Sequence, residues 1–166
     1  MHICFLALDY PSSKSGGGVG NQVRTLGLAL VKAGYHVTVI ALAVPGLPDC
    51  SEDHGIKVYH ITPGSLHWYV HKIPVIGQWV ALVIRELEYS WAAYRLIHKL
   101  ERSAPIDLIE GTETGALGVA LFLNRIPLVI RLHGEAYTFH KYTPGLSLTL
   151  EVRLSRVLQR IALRRA

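Results

Sequence analysis

Four glycines stand among the five residues from Gly16 to Gly20, within the stretch "SKSGGGVGNQVRTLGLALVKAGYHVTV". A helical pattern of apolar residues follows them directly and ends at Gly34. Glycines let the main chain approach a ligand closely, and the unpaired amides and dipole of a helix start favour an anion. Phosphate is the usual anion at such a place, so the stretch predicts a phosphate-binding site.

Two common phosphate-binding loops do not fit this stretch. A Walker A loop ends in lysine and serine or threonine, whereas Asn21 and Gln22 follow the glycines here. A dinucleotide fingerprint counted from Gly18 has Val23 in place of its last glycine, and the next strand lacks the acidic residue that binds a ribose. The alternative without a ligand is a surface loop with Asn21 as the helix N-cap.

The chain has 166 residues, of which half are hydrophobic, and this size predicts one folded domain. Its formal charge of +5 suggests an anionic partner. The clustered positive charges, however, form one side of an amphipathic helix near the end, and no aromatic residues interleave with them to stack bases. We therefore expect a solvated helix face and no nucleic-acid partner. The clustered residues are Arg153, Arg156, Arg160, Arg164 and Arg165.

Two cysteines, Cys4 and Cys50, have no spacing that indicates a disulfide framework or a zinc site. We expect both to be reduced, the protein to be cytoplasmic, and no metal to be bound. The opening "MHICFLALDY" lacks the basic region and cleavage site of a secretory signal, and its apolar run is too short to span a bilayer. It is better interpreted as a first strand.

Short apolar runs alternate with helical patterns along the whole chain. This alternation predicts the α/β class, with a doubly wound, mostly parallel Rossmann-like sheet and helices on both faces. Such sheets bind ligands at the carboxyl ends of their strands. The predicted strands are 3–8, 35–42, 57–61, 106–110 and 127–132, and the predicted helices are 21–32, 79–102, 115–123 and 148–165.

Three segments occur in the order and spacing of a known family: "GGGVGNQVRTLGLALVKAGYHVTVIAL", "IDLIEGTETGALG" and "PLVIRLHGE". Together they resemble the family 4 glycosyltransferases, the retaining group with the two-domain GT-B fold, over nearly the whole chain. The resemblance implies that residues 1–166 are the N-terminal, acceptor-side Rossmann-like domain, and that the C-terminal nucleotide-sugar-binding domain is a partner not contained in this sequence.

The activity that the resemblance implies is transfer of a hexose-like unit from a nucleoside-diphosphate-sugar to a hydroxyl acceptor. The donor is a co-substrate, and the family needs no cofactor or obligatory metal. Both domains must close around the diphosphate, because the charge that develops on the leaving group has to be met by preorganised donors. We therefore expect the chain alone to have little or no activity.

The resemblance also assigns site residues. Gly17 and Gly18 match the glycine pair near the donor diphosphate, and Gly20 assists them. His133 matches the family's histidine at the donor sugar and is the catalytic candidate, since either tautomer can hydrogen-bond a hydroxyl. An alternative is that His133 only satisfies a loop carbonyl.

Three carboxylates lie near the same predicted sheet edge: Glu110, Glu113 and Glu135. Carboxylates accept strong hydrogen bonds from hydroxyl groups, so these are candidates for binding the acceptor. Paired carboxylates would also suit a glycoside hydrolase, in which two of them flank one bond. Glu110 could equally be a solvated strand end.

The segment "LHWYVHKIPVIGQWVALVIRELEYSW", residues 66–91, contains three tryptophans and two tyrosines. Its uninterrupted apolar part is too short to cross a membrane. It could lie at a membrane surface as a peripheral contact, bind a protein, or be a helix buried against the sheet. Two further functions therefore stay open: a non-catalytic Rossmann-like ligand-binding module, and a membrane or protein interaction domain.

Overall fold

The computed structural model describes residues 1–11, 17–74, 77–113, 115–122, 125–134, 140–143 and 150–166. Six strands and five helices have their bounds within these ranges, and residues 140–142 are also helical. The strands are β1 His2–Leu6, β2 His36–Leu42, β3 Cys50–Asp53, β4 Ile56–Ile61, β5 Leu108–Thr112 and β6 Leu128–Arg131. The helices are α1 Gly18–Lys32, α2 Leu66–His71, α3 Gly77–Leu100, α4 Leu117–Phe122 and α5 Leu150–Leu163.

All six strands form one sheet in the order β3-β4-β2-β1-β5-β6. Every neighbouring pair is parallel except β3 with β4. Strand β1 is central because its apolar run is buried on both faces, as is typical of parallel sheets. The predicted doubly wound, mostly parallel sheet is confirmed. The chain leaves β1 towards β2 and later returns to the other side of β1 as β5, so the topological switch point lies between β1 and β5.

The sheet is covered on both faces by helices. Phe5 and Val39 belong to a core cluster that packs against α1, whereas Leu6 and Ile40 belong to a second cluster formed with α3 and α4. Helix α5 packs on α4 through Ala162 in a third cluster. Alternate residues of β1 and β2 therefore bury opposite faces, as strand geometry requires.

The predicted third strand is in fact the fourth. Residues 57–61 belong to β4, and the unpredicted edge strand β3 pairs with it antiparallel. The two strands are joined by His54 and Gly55, whose φ angles are 49° and 91°. Two consecutive residues with positive φ make the tight turn that fits the twist of a hairpin. The sequence "CSED" of β3 has no alternation of apolar and polar residues, so it gave no strand pattern.

Helix α1 begins at Gly18, three residues before the predicted start. Its N-cap is Gly17, whose carbonyl oxygen accepts a hydrogen bond from the Asn21 amide at 3.1 Å. The alternative in which Asn21 caps the helix is therefore wrong, because Asn21 lies inside the first turn.

A polar network joins α1, the β3–β4 hairpin and the loop after β1. The Arg24 guanidinium donates to both Asp53 carboxylate oxygens at 2.6 and 3.0 Å, and the Tyr10 hydroxyl donates to the same carboxylate at 2.8 Å. The hydrogen bonds from Arg24 hold the pKa of Asp53 below its usual value. Burial, and then the Asp53 carboxylate, raise the pKa of Tyr10. The network thus fixes the loop after β1 from the side of the hairpin.

We expect Asp53→Asn to lower the urea midpoint of unfolding near neutral pH, because the charge-assisted bonds from Arg24 are weakened. A carboxylate whose pKa is lowered by folding stabilises the native state above its ordinary pKa of about 3.9, and this stabilisation is lost as the pH falls through the lowered value. The difference between wild type and variant should therefore close below about pH 4. Asp49→Asn removes an exposed carboxylate just before β3 and should leave the midpoint unchanged; an equal drop in both variants would argue against the network.

Candidate functional site

The carboxyl ends of β1, β5 and β6 lie side by side at one edge of the sheet. The loops that follow these strands carry Asp9, Glu113 and His133, and the loop after β1 leads into the start of α1 at Gly18. In an open parallel sheet this edge, at the switch point, is where ligands bind. It is the candidate site.

Gly17 and Gly20 bring the start of α1 against Asp9. A Cβ at Gly20 would lie 2.7 Å from the Asp9 carbonyl oxygen, and a Cβ at Gly17 would collide with the Asp9 carboxylate. The first turn of α1 contains no acidic residue, and the Asp9 carboxylate lies beside it at the positive end of the helix dipole. The close approach to the Asp9 main chain therefore requires glycine at Gly20, whereas a side chain at position 17 would need only the Asp9 carboxylate to move.

Gly18 differs from Gly17 and Gly20 because a Cβ placed there would meet no atom of the described residues within 4 Å. The helix start is open at this residue. Helix geometry leaves the amides of the first turn without intrahelical partners, and the first such bond here comes from Asn21 to the Gly17 carbonyl. The open space at Gly18 gives room for an anion beside these amides.

Glu113 connects the loops after β5 and β6. Its side chain is buried, with the residue 6% exposed, and its two oxygens accept the His133 amide hydrogen at 3.3 and 3.4 Å. Gly134 follows with a φ of 124°, a conformation that favours glycine, so the chain turns immediately after His133. Glu113 thus fixes the main chain of His133, and the half-buried His133 ring lies at the edge of the sheet.

Glu110 lies within β5, where the Arg131 guanidinium binds its two oxygens at 2.6 and 3.2 Å. This pairing raises the pKa of Arg131. Glu110 is paired in register with Phe5 and so faces the side of the sheet that carries α1. Because Glu110 and Glu113 are each bound by other parts of the protein, this pair does not offer the two free carboxylates that glycoside hydrolysis requires.

The structure therefore brings together the three predicted glycines at one place and Glu113 with His133 at another, both at the same sheet edge. Glu110 is set apart inside the sheet. Glu135 lies outside the described residues.

Two residues of this edge were missed from sequence. Asp9 directly follows the first apolar run, and this position at the end of a predicted strand could have identified it as a residue of the sheet edge. Tyr89 of α3 is fully buried and donates its hydroxyl to the Ile40 carbonyl at 2.9 Å, below the ends of β1 and β2. Burial raises the pKa of this tyrosine. A Cβ at Gly115 would lie 3.3 Å from its ring, so Tyr89 also supports the loop after β5. Tyr89 lies within a long apolar helix pattern, so nothing in the sequence indicated its contacts at this edge.

In the described ranges, no three histidine, cysteine, aspartate or glutamate residues lie together as a metal site would require. Of the helices that the structure describes, none combines the length and apolar character needed to cross a bilayer. Cys4 is buried and Cys50 exposed, and both are free thiols.

The fold is similar to that of sucrose-phosphate synthase from Thermosynechococcus elongatus, with a TM-score of 0.66 and 18% sequence identity. The match covers 98% of this chain and 40% of the synthase chain. A second structure of that synthase matches with a TM-score of 0.53 and 18% identity, over 83% of this chain and 66% of the other. The chain therefore spans less than half of the first synthase chain. At this identity the likeness is one of fold.

No curated protein sequence matches the chain. A family model, described as Glycosyltransferase Family 4, matches residues 16–166. This range includes the glycine stretch, both predicted loops of the site and α5, so the resemblance seen in the sequence is confirmed. The chain belongs to glycosyltransferase family 4, and its fold matches one Rossmann-like half of a GT-B glycosyltransferase.

Proposed function

We propose that this chain is the acceptor-side domain of a retaining glycosyltransferase, which transfers a hexose-like unit from a nucleoside-diphosphate-sugar to a hydroxyl acceptor. The observation that carries the proposal is the open start of α1 at Gly18, beside the switch point between β1 and β5. The family match supports sugar transfer as the reaction.

In this proposal the donor diphosphate lies against the first turn of α1. The amides there can donate hydrogen bonds to phosphate oxygens, and the helix dipole favours the negative charge. Gly17 and Gly20 contribute by letting the helix start approach Asp9, and Gly18 contributes by leaving the amides uncovered. The Asp9 carboxylate adds a negative charge nearby, so further positive groups must come from a second domain. The domain alone is then expected to be nearly inactive.

His133 is the proposed catalytic residue, because its ring lies on the loop at the end of β6 and can hydrogen-bond a sugar hydroxyl in either tautomer. Glu113 is a positioning residue in this scheme, since it holds the His133 amide. Glu110 is bound by Arg131 within the sheet and takes no part in this scheme. Glu135, two residues beyond His133, keeps the role of an acceptor-binding candidate.

The partners are the nucleotide-sugar donor, a hydroxyl acceptor and the protein's own C-terminal domain, and the proposed location is the cytoplasm. No cofactor is needed, because the donor is a co-substrate. The rival proposal, a non-catalytic Rossmann-like binding module, keeps the same fold and the same edge but needs no second domain.

Expressing the chain alone and with its native continuation separates these two proposals. We expect consumption of a uridine or guanosine diphosphate hexose only when a second αβ domain follows residue 166, because leaving-group stabilisation requires both halves. Analysis of the product by NMR should show the same anomeric configuration as the donor. A natural stop codon at this point would favour the binding module, and an inverted product would rule out the retaining mechanism.

Gly18→Val tests the helix start directly. The added Cβ would meet no atom of the described residues within 4 Å, so the fold should be kept while the space beside the amides is filled. Loss of a hydrogen bond to a charged group costs about 1.5–3 kcal/mol, so the donor KM of the two-domain enzyme should rise at least about tenfold. Ala29→Val, at an exposed position of the same helix, is the matched control and should leave KM unchanged. Unchanged KM in Gly18→Val would remove the helix start from donor binding.

Replacement of Glu113 tests its role as a positioning residue. We expect Glu113→Ala to lower kcat about tenfold or more while the donor KM changes little, because the loop that carries His133 is no longer held. Glu113→Gln should recover much of kcat, since its amide oxygen can still accept the His133 amide hydrogen. Glu110→Ala removes a partly exposed ion pair, leaves the contact between Glu113 and His133 in place, and should keep kcat. Equal losses in Glu113→Ala and Glu110→Ala would indicate a general effect on stability.

A further inference from the structure

Three aromatic side chains on α2 and α3 face solvent. Trp68 and Tyr69 on α2 are 65% and 66% exposed, and Trp91 on α3 is 51% exposed. The sheet is contacted by the opposite side of α3, through buried residues that include Tyr89 and Ala93. The interpretation of this segment as a wholly buried helix is therefore wrong for these three aromatic residues.

Helix α2 is fixed in place although none of its residues is buried. The Glu88 carboxylate of α3 accepts the Leu66 amide hydrogen at 2.7 Å and pairs with the His67 ring at 2.5 Å. At the other end, a Cβ at Gly77 would collide with the Val70 carbonyl oxygen, so glycine allows the two helices to cross closely. The exposed aromatics are thus presented by a helix that is bound to its neighbour.

Basic side chains continue this surface along the carboxyl-terminal half of α3. Arg95, Lys99 and Arg102 line an open groove of about 530 Å³ beside the end of β4. Arg95 follows Trp91 at a spacing of 4 residues, which places both on one face of α3, and Arg102 lies in the turn after the helix. On α2 the neighbouring Lys72 ammonium lies 5.9 Å from the centre of the Tyr69 ring. We call Trp68, Tyr69, Trp91, Arg95, Lys99 and Arg102 the aromatic–basic surface.

The carboxylates of this helix region are less exposed than its cations. Glu86 is buried and accepts a hydrogen bond from Ser155 at 3.3 Å, and Glu88 binds α2. Glu101, in the turn after α3, accepts the Ile106 amide hydrogen. The outward charges of the described part of α3 are therefore positive.

We propose that the aromatic–basic surface docks onto an anionic lipid bilayer. Tryptophan and tyrosine favour the headgroup region, and lysine and arginine are attracted by anionic lipids. The aromatic residues are grouped at one end and the cations at the other, whereas single-stranded nucleic acid is bound by aromatic residues set among the cations. Protein–protein contacts are depleted of lysine but enriched in tryptophan, tyrosine and arginine, so a protein partner is the occupant that the experiment has to separate from a bilayer.

Docking of the aromatic–basic surface would also affect the candidate site at the sheet edge. This consequence rests on the proposed function. Helix α2 starts five residues after the end of β4, and β4 ends at the same sheet edge as β1. Only β2 separates these strands, so they are about 10 Å apart. The aromatic end of the docked surface would therefore lie nearest the donor edge, and acceptors held at the membrane surface would reach it first.

Co-sedimentation with lipid vesicles tests the proposal, and it uses neither donor nor acceptor, so its result is independent of the proposed function. We expect the chain to bind vesicles of phosphatidylcholine with phosphatidylglycerol, to bind phosphatidylcholine alone weakly, and to be released by salt. The triple variant Arg95→Gln, Lys99→Gln, Arg102→Gln should bind about a hundredfold more weakly, because each basic residue strengthens binding about fivefold. Trp68→Ser with Trp91→Ser should weaken binding at least about tenfold.

The matched control is the triple variant Arg153→Gln, Arg160→Gln, Arg164→Gln, which removes the same charge from the exposed face of α5. It should bind the anionic vesicles almost as well as the wild type. Circular dichroism should show the same helix content in all variants, since every altered side chain is exposed. No binding to anionic vesicles, equal weakening by the α5 control, or a dimer in solution that Trp68→Ser disrupts would each overturn the proposal.

Discussion

The start of α1 lies directly against the main chain of Asp9, and this contact leaves no room for a side chain at Gly20. The helix can therefore begin immediately above the carboxyl end of β1, with its free amides directed at the switch point. From the other side, the Tyr10 hydroxyl and the Arg24 guanidinium hold the same loop to Asp53. A backbone contact and an ion-pair network together set where an anion can approach.

Most of the fold follows from apolar patterning in the sequence. The parallel strands are short apolar runs, and the large helices have apolar residues at helical spacing, so both were predicted within a few residues. The hairpin strand β3 was missed because "CSED" has no strand pattern of its own. It is a strand because it pairs with β4 across the turn made by the positive φ angles of His54 and Gly55. Helix α2 was missed as a separate element because its position depends on Glu88, which is distant in the chain.

The residue types of the site and its place at the sheet edge could be predicted from the sequence. The contacts that each residue makes could not. Three glycines that look equivalent in the sequence divide into Gly18, which faces open space, and two that face Asp9. Likewise, the partners of Glu113 and Glu110 lie about 20 residues further along the chain, at His133 and Arg131. Such partners are set by the pairing of β5 with β6, which no local pattern encodes.

Helix α2, which carries part of the aromatic–basic surface, is held by polar contacts, whereas most helices in proteins are held by packing of an apolar face. Six residues are too few for a stable isolated helix, and α2 buries none of them. Polar contacts to Glu88 hold it instead, and they keep Trp68 and Tyr69 in solvent. Because the aromatic side chains are already fixed on an ordered helix, docking would require little further loss of backbone entropy, which is the cost that most weakens binding by flexible segments. A preformed surface of this kind can bind and release a bilayer without reshaping the sheet edge beside it.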